Sequence, residues 1–405
     1  MPQISHEYVR LVLALGRHDD DYVDAYYGPL DIKAEVEAAA LTLDEIGDAA
    51  AAVAASLGET TGAASDELSR LRHQYLQKQL SSMQARVRIL KGEHLSFDAE
   101  SAALYDAVAP IYPESHFQEV LDRLETRFPG KGLLADRYDA WRRAFVIPHD
   151  RVDRVFRAAI AACRQRTIEH VGLPAHESFT VEYVTGKAWS GYNWYQGGFR
   201  SVIQLNIDLP IYIDRAVDLA GHEGYPGHHL YNALLEQRLV IERGWIEFTV
   251  YPLFSPQSLV AEGTANFGIE VAFPGGGRVD FEESTLFPLA GLDPARAAEY
   301  YEVQALVDDL SYAGNEAARR YHDGAVDRDG AAAWLERYAL MPHERALQRV
   351  RFFDQYRSYV INYNYGKDLV RRFIESRGGT ADRPDERWRQ FELLLSSPRL
   401  PSGLR

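Results

Sequence analysis

The sequence predicts a mostly α-helical fold with a small antiparallel β-sheet, and three observations support it. Apolar residues recur at three- and four-residue spacing through residues 1–172, apolar/polar alternation is confined to 178–209, and the helical period returns from 210 onward. The change of pattern divides the chain into an N-terminal helical lobe, 1–172, and a second lobe, 173–405, which holds the sheet and the C-terminal helices.

In order along the chain, Tyr8, Leu11, Val12 and Leu15 form the first stripe, followed by an Ala-rich segment over 34–57 and a longer helix from Leu68 to Leu90. Gly28-Pro29, Gly58, Gly92, Pro110, Pro113, Pro129-Gly130 and Pro148 cut this half into about six helices. The acidic run over 18–24 reads as a solvated helix-end charge cluster. SFTVEYVT and RSVIQLNID alternate as two strands joined by a Gly/Tyr/Trp-rich connection. Helices resume through Leu230 and Leu234, then from a cap at Ser255 with Pro256 in the first turn, then over 294–323 and 331–340, and finally as one long helix over 343–376. Pro274-Gly275-Gly276-Gly277 lacks a following Lys-Ser/Thr and is a plain loop, and 397–405 reads as a loosely held end.

Composition narrows the function. The 405 residues are 46% hydrophobic and 25% charged, as in ordinary globular proteins, and no stretch approaches the ~18 uninterrupted apolar residues of a membrane helix. Lys+Arg 44 against Asp+Glu 59 leaves a charge of −15, which repels nucleic acid and anionic lipid, so neither is expected as a partner. The N-terminus lacks the pattern of a signal peptide and the single Cys163 cannot close an intramolecular disulfide, which points to a cytoplasmic protein with Cys163 in its core.

The chemistry concentrates in His222-Glu223-Gly224-Tyr225-Pro226-Gly227-His228-His229. Three histidines and a glutamate broken by glycines and a proline are poor helix material, but hydrolytic zinc needs neutral imidazoles, a carboxylate ligand, an open position for water and a second carboxylate to take that water's proton. In the usual zinc-protease helix the two histidines stand four apart. Here His228 is six residues on, about 120° off the face of His222 in an ideal helix, and His229 is seven on, about 10 Å along the axis. Pro226 cannot donate to the His222 carbonyl and Gly227 accepts unusual dihedrals, so a bulge there would bring His228 to the position of an i+4 ligand. His229 is the alternative; the histidine left over would support the ligands or bind an oxyanion.

HEGYPGHH, with LVAEGTANFGIE and YVINYNYGKDLV downstream, resembles the bacterial family numbered 885 among domains of unknown function. That family is similar to the helical glutamate-zincin metallopeptidases, among them carboxypeptidase Taq, angiotensin-converting enzyme and, through a lengthened His-Glu-x-x-x-His motif, dipeptidyl peptidase III. The resemblance covers 178–370 well and 95–115 weakly. It implies a zincin-like fold of two lobes around a central cleft, with Glu262 as third ligand beside His222 and His228, and Glu270 as the fallback. It implies further that Glu223 is the catalytic carboxylate, that RSVIQLNID is an edge strand for extended substrate, and that the C-terminal helix supplies Tyr363 to the transition state and Arg351, Tyr356 and Tyr359 to substrate. The expectation is a Zn2+-dependent hydrolase cleaving amide bonds of short peptides, with carboxypeptidase action among the readings. The rivals are a non-catalytic zincin-like binding or scaffold protein and a metal-dependent hydrolase of a non-peptide amide.

Overall fold

The computed structural model describes residues 1–59, 66–187, 189–208 and 210–405. It is 66% helix and 8% strand, as expected. The N-terminal half contains helices α1 (Pro2–Leu15), α2 (Leu30–Ala39), α3 (Leu43–Gly58), α4 (Glu67–Leu90), α5 (Phe97–Tyr105), α6 (Glu114–Arg127), α7 (Leu134–Arg142) and α8 (Val152–Ile168). Tyr8, Leu11, Val12 and Leu15 of α1 are all fully buried, and several starts are set by local chemistry: Thr42 and Glu45 close a reciprocal capping box on α3, and the side chains of Asp66 and Ser96 cap α4 and α5.

This half also holds a strand that its pattern does not announce, β1 (Val23–Tyr26), which pairs antiparallel with β5 (Val250–Pro252). The acidic run is accordingly not a solvated helix end: Asp19 bridges Arg86 at 2.6 Å, and Asp24 is carried inward on β1.

The second sheet has three strands, β2 (Ser178–Val184), β3 (Gly191–Gly197) and β4 (Arg200–Asn206), in the order β2-β4-β3. β3 and β4 are antiparallel, and β2 joins β4 in parallel. The connection rich in Gly, Tyr and Trp is therefore itself a strand, and RSVIQLNID is the central strand with both ladders filled; β2 and β3 are the edges. The turn from β3 into β4 places Gly197, Gly198 and Phe199 at positive φ, and Glu236 holds it by accepting from the Gly198 and Phe199 amides and from the Tyr195 hydroxyl at 2.5 Å.

Beyond the sheet come α9 (Asp214–Leu219), α10 (His228–Leu235), α11 (Pro256–Ala272), α12 (Gly277–Phe281), α13 (Phe287–Ala290), α14 (Ala297–Asp308), α15 (Ala313–His322), α16 (Arg328–Tyr338), α17 (His343–Tyr356), α18 (Ile361–Glu375) and α19 (Pro384–Leu395). Ser255 and Pro256 begin α11 as read, although the Ser255 hydroxyl donates to the Pro252 carbonyl at 2.7 Å rather than capping. The long helix expected over 343–376 is two helices, broken by a turn of 3₁₀-helix, Arg357–Val360, with Arg357 at φ +50°. The C-terminal tail is held, with Leu400, Pro401 and Leu404 buried. Cys163 is a buried core residue.

A single hydrophobic core runs from Tyr8 to Leu404 and crosses the boundary near 172. α11 and α18 meet at its centre: a Cβ on Gly263 would stand 2.5 Å from the Gly366 carbonyl, so the two backbones touch. That contact sets α11, which carries Glu262, against α18, which carries Tyr363. Among the described residues no helix is long and apolar enough to cross a membrane.

Candidate metal centre

α9 runs into a wide π-helical turn, Ala220–Gly224, which carries His222 and Glu223; the chain then breaks at Tyr225 and Pro226, joined by a cis peptide, and α10 starts at His228. The Gly227 amide donates to the Gly221 carbonyl at 2.9 Å. The chain doubles back so tightly that a Cβ at Gly227 would overlap the carbonyl oxygen of His222. This is the distortion the spacing demands: it brings His228 Nε2 to 3.1 Å from His222 Nε2.

Glu262 completes the cluster from α11. Its Oε2 lies 3.2 Å from His222 Nε2 and its Oε1 3.8 Å from His228 Nε2, and the three side chains offer ligand atoms all within 4.8 Å of one another. A tetrahedral zinc with bonds of about 2.0–2.1 Å has ligand–ligand edges of about 3.3 Å, so the residues fit that ion. Glu262 Oε2 is buried without a well-formed hydrogen bond, which is the condition of a donor atom reserved for a ligand.

The surroundings orient the three side chains. Asn266 Oδ1 stands 3.1 Å from His222 Nδ1, which leaves Nε2 to face the cluster, and Asn266 Nδ2 donates to the Tyr363 carbonyl at 3.1 Å. The Tyr359 hydroxyl donates to Glu262 Oε1 at 2.8 Å. Burial and the neighbouring His222 press the His228 imidazole down to about 4, so it is neutral with a free lone pair at neutral pH. Burial works against charge on His222 too, but Glu223 and Glu262 outweigh it and hold that ring up at about 9. Burial, reinforced by Glu262, pushes the Glu223 carboxyl up to about 7. Glu223 is fixed from the sheet side, where its carbonyl accepts from Asn193 Nδ2 at 2.7 Å and a Cβ on Gly191 would stand 3.0 Å from its Oε1.

His229 faces away from the cluster, fully buried against the sheet, with Nδ1 2.8 Å from Ser201 Oγ and Nε2 3.1 Å from Glu177 Oε2. Glu177 also accepts from Tyr225 and pairs with Arg164 at 2.5 Å, which locks the break in the chain to β2 and β4. Glu270 is taken up by Lys367 and Arg371 at 2.8 and 2.6 Å and stands apart from the cluster.

The aromatic rings of Tyr356, Tyr359 and Tyr363 form a continuous line, with centroids 6.0 and 5.7 Å apart, despite the break between α17 and α18. The structure does not bring Arg351 to this line; it is exposed. Arg349, on the inner side of α17, packs over Phe352 at 4.5 Å and lies 5.9 Å from the Tyr363 ring, with no carboxylate partner among the described residues. Sequence reading missed Arg349 because an amphipathic stripe does not distinguish two arginines two residues apart until the phase of the helix is known.

No family model matches the chain, and no curated protein does; the likeness to family 885 rests on the three motifs. Among solved structures, a protein described as a "putative lipoprotein" from Colwellia psychrerythraea is similar over 90% of this chain at 14% identity and a TM-score of 0.53, and this chain spans 62% of its length. A "putative lipoprotein of unknown function" from Shewanella oneidensis aligns over 91% of this chain and 79% of its own at 13% identity and a TM-score of 0.43. The M32 carboxypeptidase from Deinococcus radiodurans R1 aligns over 99% and 90% at 12% identity and a TM-score of 0.41. The likeness to the Colwellia protein is one of fold.

Proposed function

We propose that the protein is a zinc-dependent hydrolase of amide bonds in short peptides, with His222, His228 and Glu262 as ligands. The observation that carries this reading is the convergence of the three ligand atoms within 4.8 Å, with Glu223 next to the first of them in the same buried turn. Zinc bound there supplies a Lewis acid that polarises a water and the scissile carbonyl. Glu223, held up at about 7 by burial, is poised to accept the proton of that water and return it to the leaving amine. Tyr359 steadies Glu262 and occupies its own hydroxyl in doing so, whereas the Tyr363 hydroxyl makes no hydrogen bond among the described residues and is free to donate to a developing oxyanion. Arg349, rather than Arg351, is the cation offered to a substrate carboxylate. The edge of β3 supports the reading, since extended peptide added to it passes Glu223 at Gly191.

The test is metal analysis of protein purified without chelator, joined to Glu223→Gln. About one zinc per chain, and peptide hydrolysis that disappears in Glu223→Gln while zinc stays, is the expected result. Zinc without turnover on any short peptide would make this a metal-holding binding protein; no zinc would overturn the reading outright.

A further inference from the structure

Asp24 lies outside the machinery described so far, and its setting is unusual. It is carried on β1, and its carboxylate accepts the Tyr192 hydroxyl. Among the described residues it has no Lys, Arg or His partner, unlike Asp19 nearby, and the carboxylates that act on it or feel it, Glu262 and Glu223, have its own sign. Burial, eased by the Tyr192 hydroxyl and reinforced by Glu262, pushes its carboxyl up to about 7.

Asp24 opens into a groove of about 580 Å³ between β1 and the outer face of β3 and β4, whose lining includes Tyr26, Trp194, Gln196 and Gln204 and no positively charged residue. Trp194 is 44% exposed, and its ring lies 4.5 Å from that of Tyr192, so aromatic surface continues from Asp24 along the groove. A half-buried carboxylate with no cationic partner among the described residues, flanked by open aromatic faces, matches the recognition chemistry of an organic cation: it offers ionic hydrogen bonds at one end and ring quadrupoles beside them.

We propose that this groove binds an ammonium or guanidinium group of the substrate, with Asp24 accepting its hydrogen bonds and Trp194 and Tyr26 covering it. The proposal rests on the peptidase reading for its location. Gly191 touches Glu223, the next residue, Tyr192, donates to Asp24, and Asp24 is near enough to Glu262 and Glu223 for their charges to act on one another, so the cation site adjoins the bond to be cut. A substrate's free α-amine and a basic side chain both supply the required group.

The experiment is calorimetric binding to the full-length protein as purified, using three small probes. Leucine amide carries a free α-amine, N-acetyl-arginine amide carries only the guanidinium, and N-acetyl-leucine amide is uncharged. At least one cationic probe is expected to bind ten-fold or more tighter than the neutral one, and which one does so names the source of the cation. In Asp24→Asn, which keeps an acceptor for Tyr192, that margin should fall to about one with zinc content and thermal midpoint unchanged. Trp194→Ala, at an exposed position, should reduce the margin several-fold. Cations that bind no better than the neutral probe, or a margin that survives Asp24→Asn, would overturn the proposal. Because binding is read without turnover, a protein that selects cations yet cleaves nothing would sink the peptidase reading and leave this one standing.

Discussion

His228 and His229 are adjacent in sequence and opposite in setting, and the difference is set by the direction in which each ring leaves the first turn of α10. One nitrogen of His228 meets His222 and Glu262, whereas both nitrogens of His229 are occupied by Ser201 and Glu177. If the proposed ligand set holds, His228→Ala should lower zinc affinity by 10²-fold or more with a modest change in apo stability, while His229→Ala leaves buried Ser201 unpaired and strips Glu177 of one of its three partners, and should cost about 1–3 kcal/mol of stability with zinc affinity kept. Metal titration and chemical denaturation of the two variants separate these outcomes; equal loss of zinc in both would refute the assignment. At this scale the sequence was informative, because Pro226 and Gly227 encode the distortion that brings His228 back beside His222. Asp24 and Arg349 were not legible: each owes its significance to a missing partner, and partners are fixed only by tertiary packing.

Among the elements, α11 and α18 depend on one contact. Gly263→Ala would push a methyl group into the Gly366 backbone, which cannot yield as a side chain can. We expect a loss of about 1–3 kcal/mol in stability. Because Glu262 precedes Gly263 and Tyr359 reaches Glu262 from the 3₁₀ turn that leads into α18, a drop in zinc affinity should accompany it. Denaturation and metal titration of the variant check both; wild-type zinc affinity would show that the helix spacing does not set the ligand. The pattern of α1 and α4 could be read because each buries a continuous stripe, and α11, buried on nearly every side, was legible from Ser255 and Pro256 at its start. β3 could not, since a segment rich in Gly and aromatic residues becomes a strand only when β4 offers it a ladder. Nor could the break between α17 and α18: no Gly or Asn marks it, and Arg357 is held at positive φ by tertiary contacts, its guanidinium and the Ser358 amide both engaging buried Glu100 on α5.

For the whole molecule, two features bind the halves. β1 pairs with β5, and Tyr75 and Ser82 of α4 hydrogen-bond Gln257 and the Phe254 carbonyl at 2.6 and 3.0 Å. A fragment of 173–405 should thus be insoluble or lack a cooperative transition, and one that melts cooperatively by calorimetry would refute this. The pH profile follows from buried carboxylates. Against the pull of burial, His322, Arg357 and Ser358 hold Glu100 at about 2, and His229, Tyr225 and Arg164 do the same for Glu177. Both lie below the unfolded value of about 4.3, so their stabilisation is present above that pH and is lost as pH falls toward 2. Burial holds Glu282 up at about 7, which has the opposite sign: its folded form gains relative stability as pH falls through 7. The thermal midpoint should peak near pH 5–6 and drop steeply below about 4.5, and Glu100→Gln should flatten the acid limb. An acid limb identical in that variant would remove Glu100 from the account.

The crowding at Gly227 also changes how such centres are to be found in other genomes. A search keyed to two histidines four apart passes over this chain, and a search for histidines six apart alone returns noise. Steric exclusion makes the glycine before the second histidine as diagnostic as the histidines themselves, since no side chain can share that space with the His222 carbonyl. The pattern to look for is His-Glu, three positions, Gly-His, followed by Glu-Gly on a helix 34 residues beyond the second histidine, the separation of Glu262 from His228.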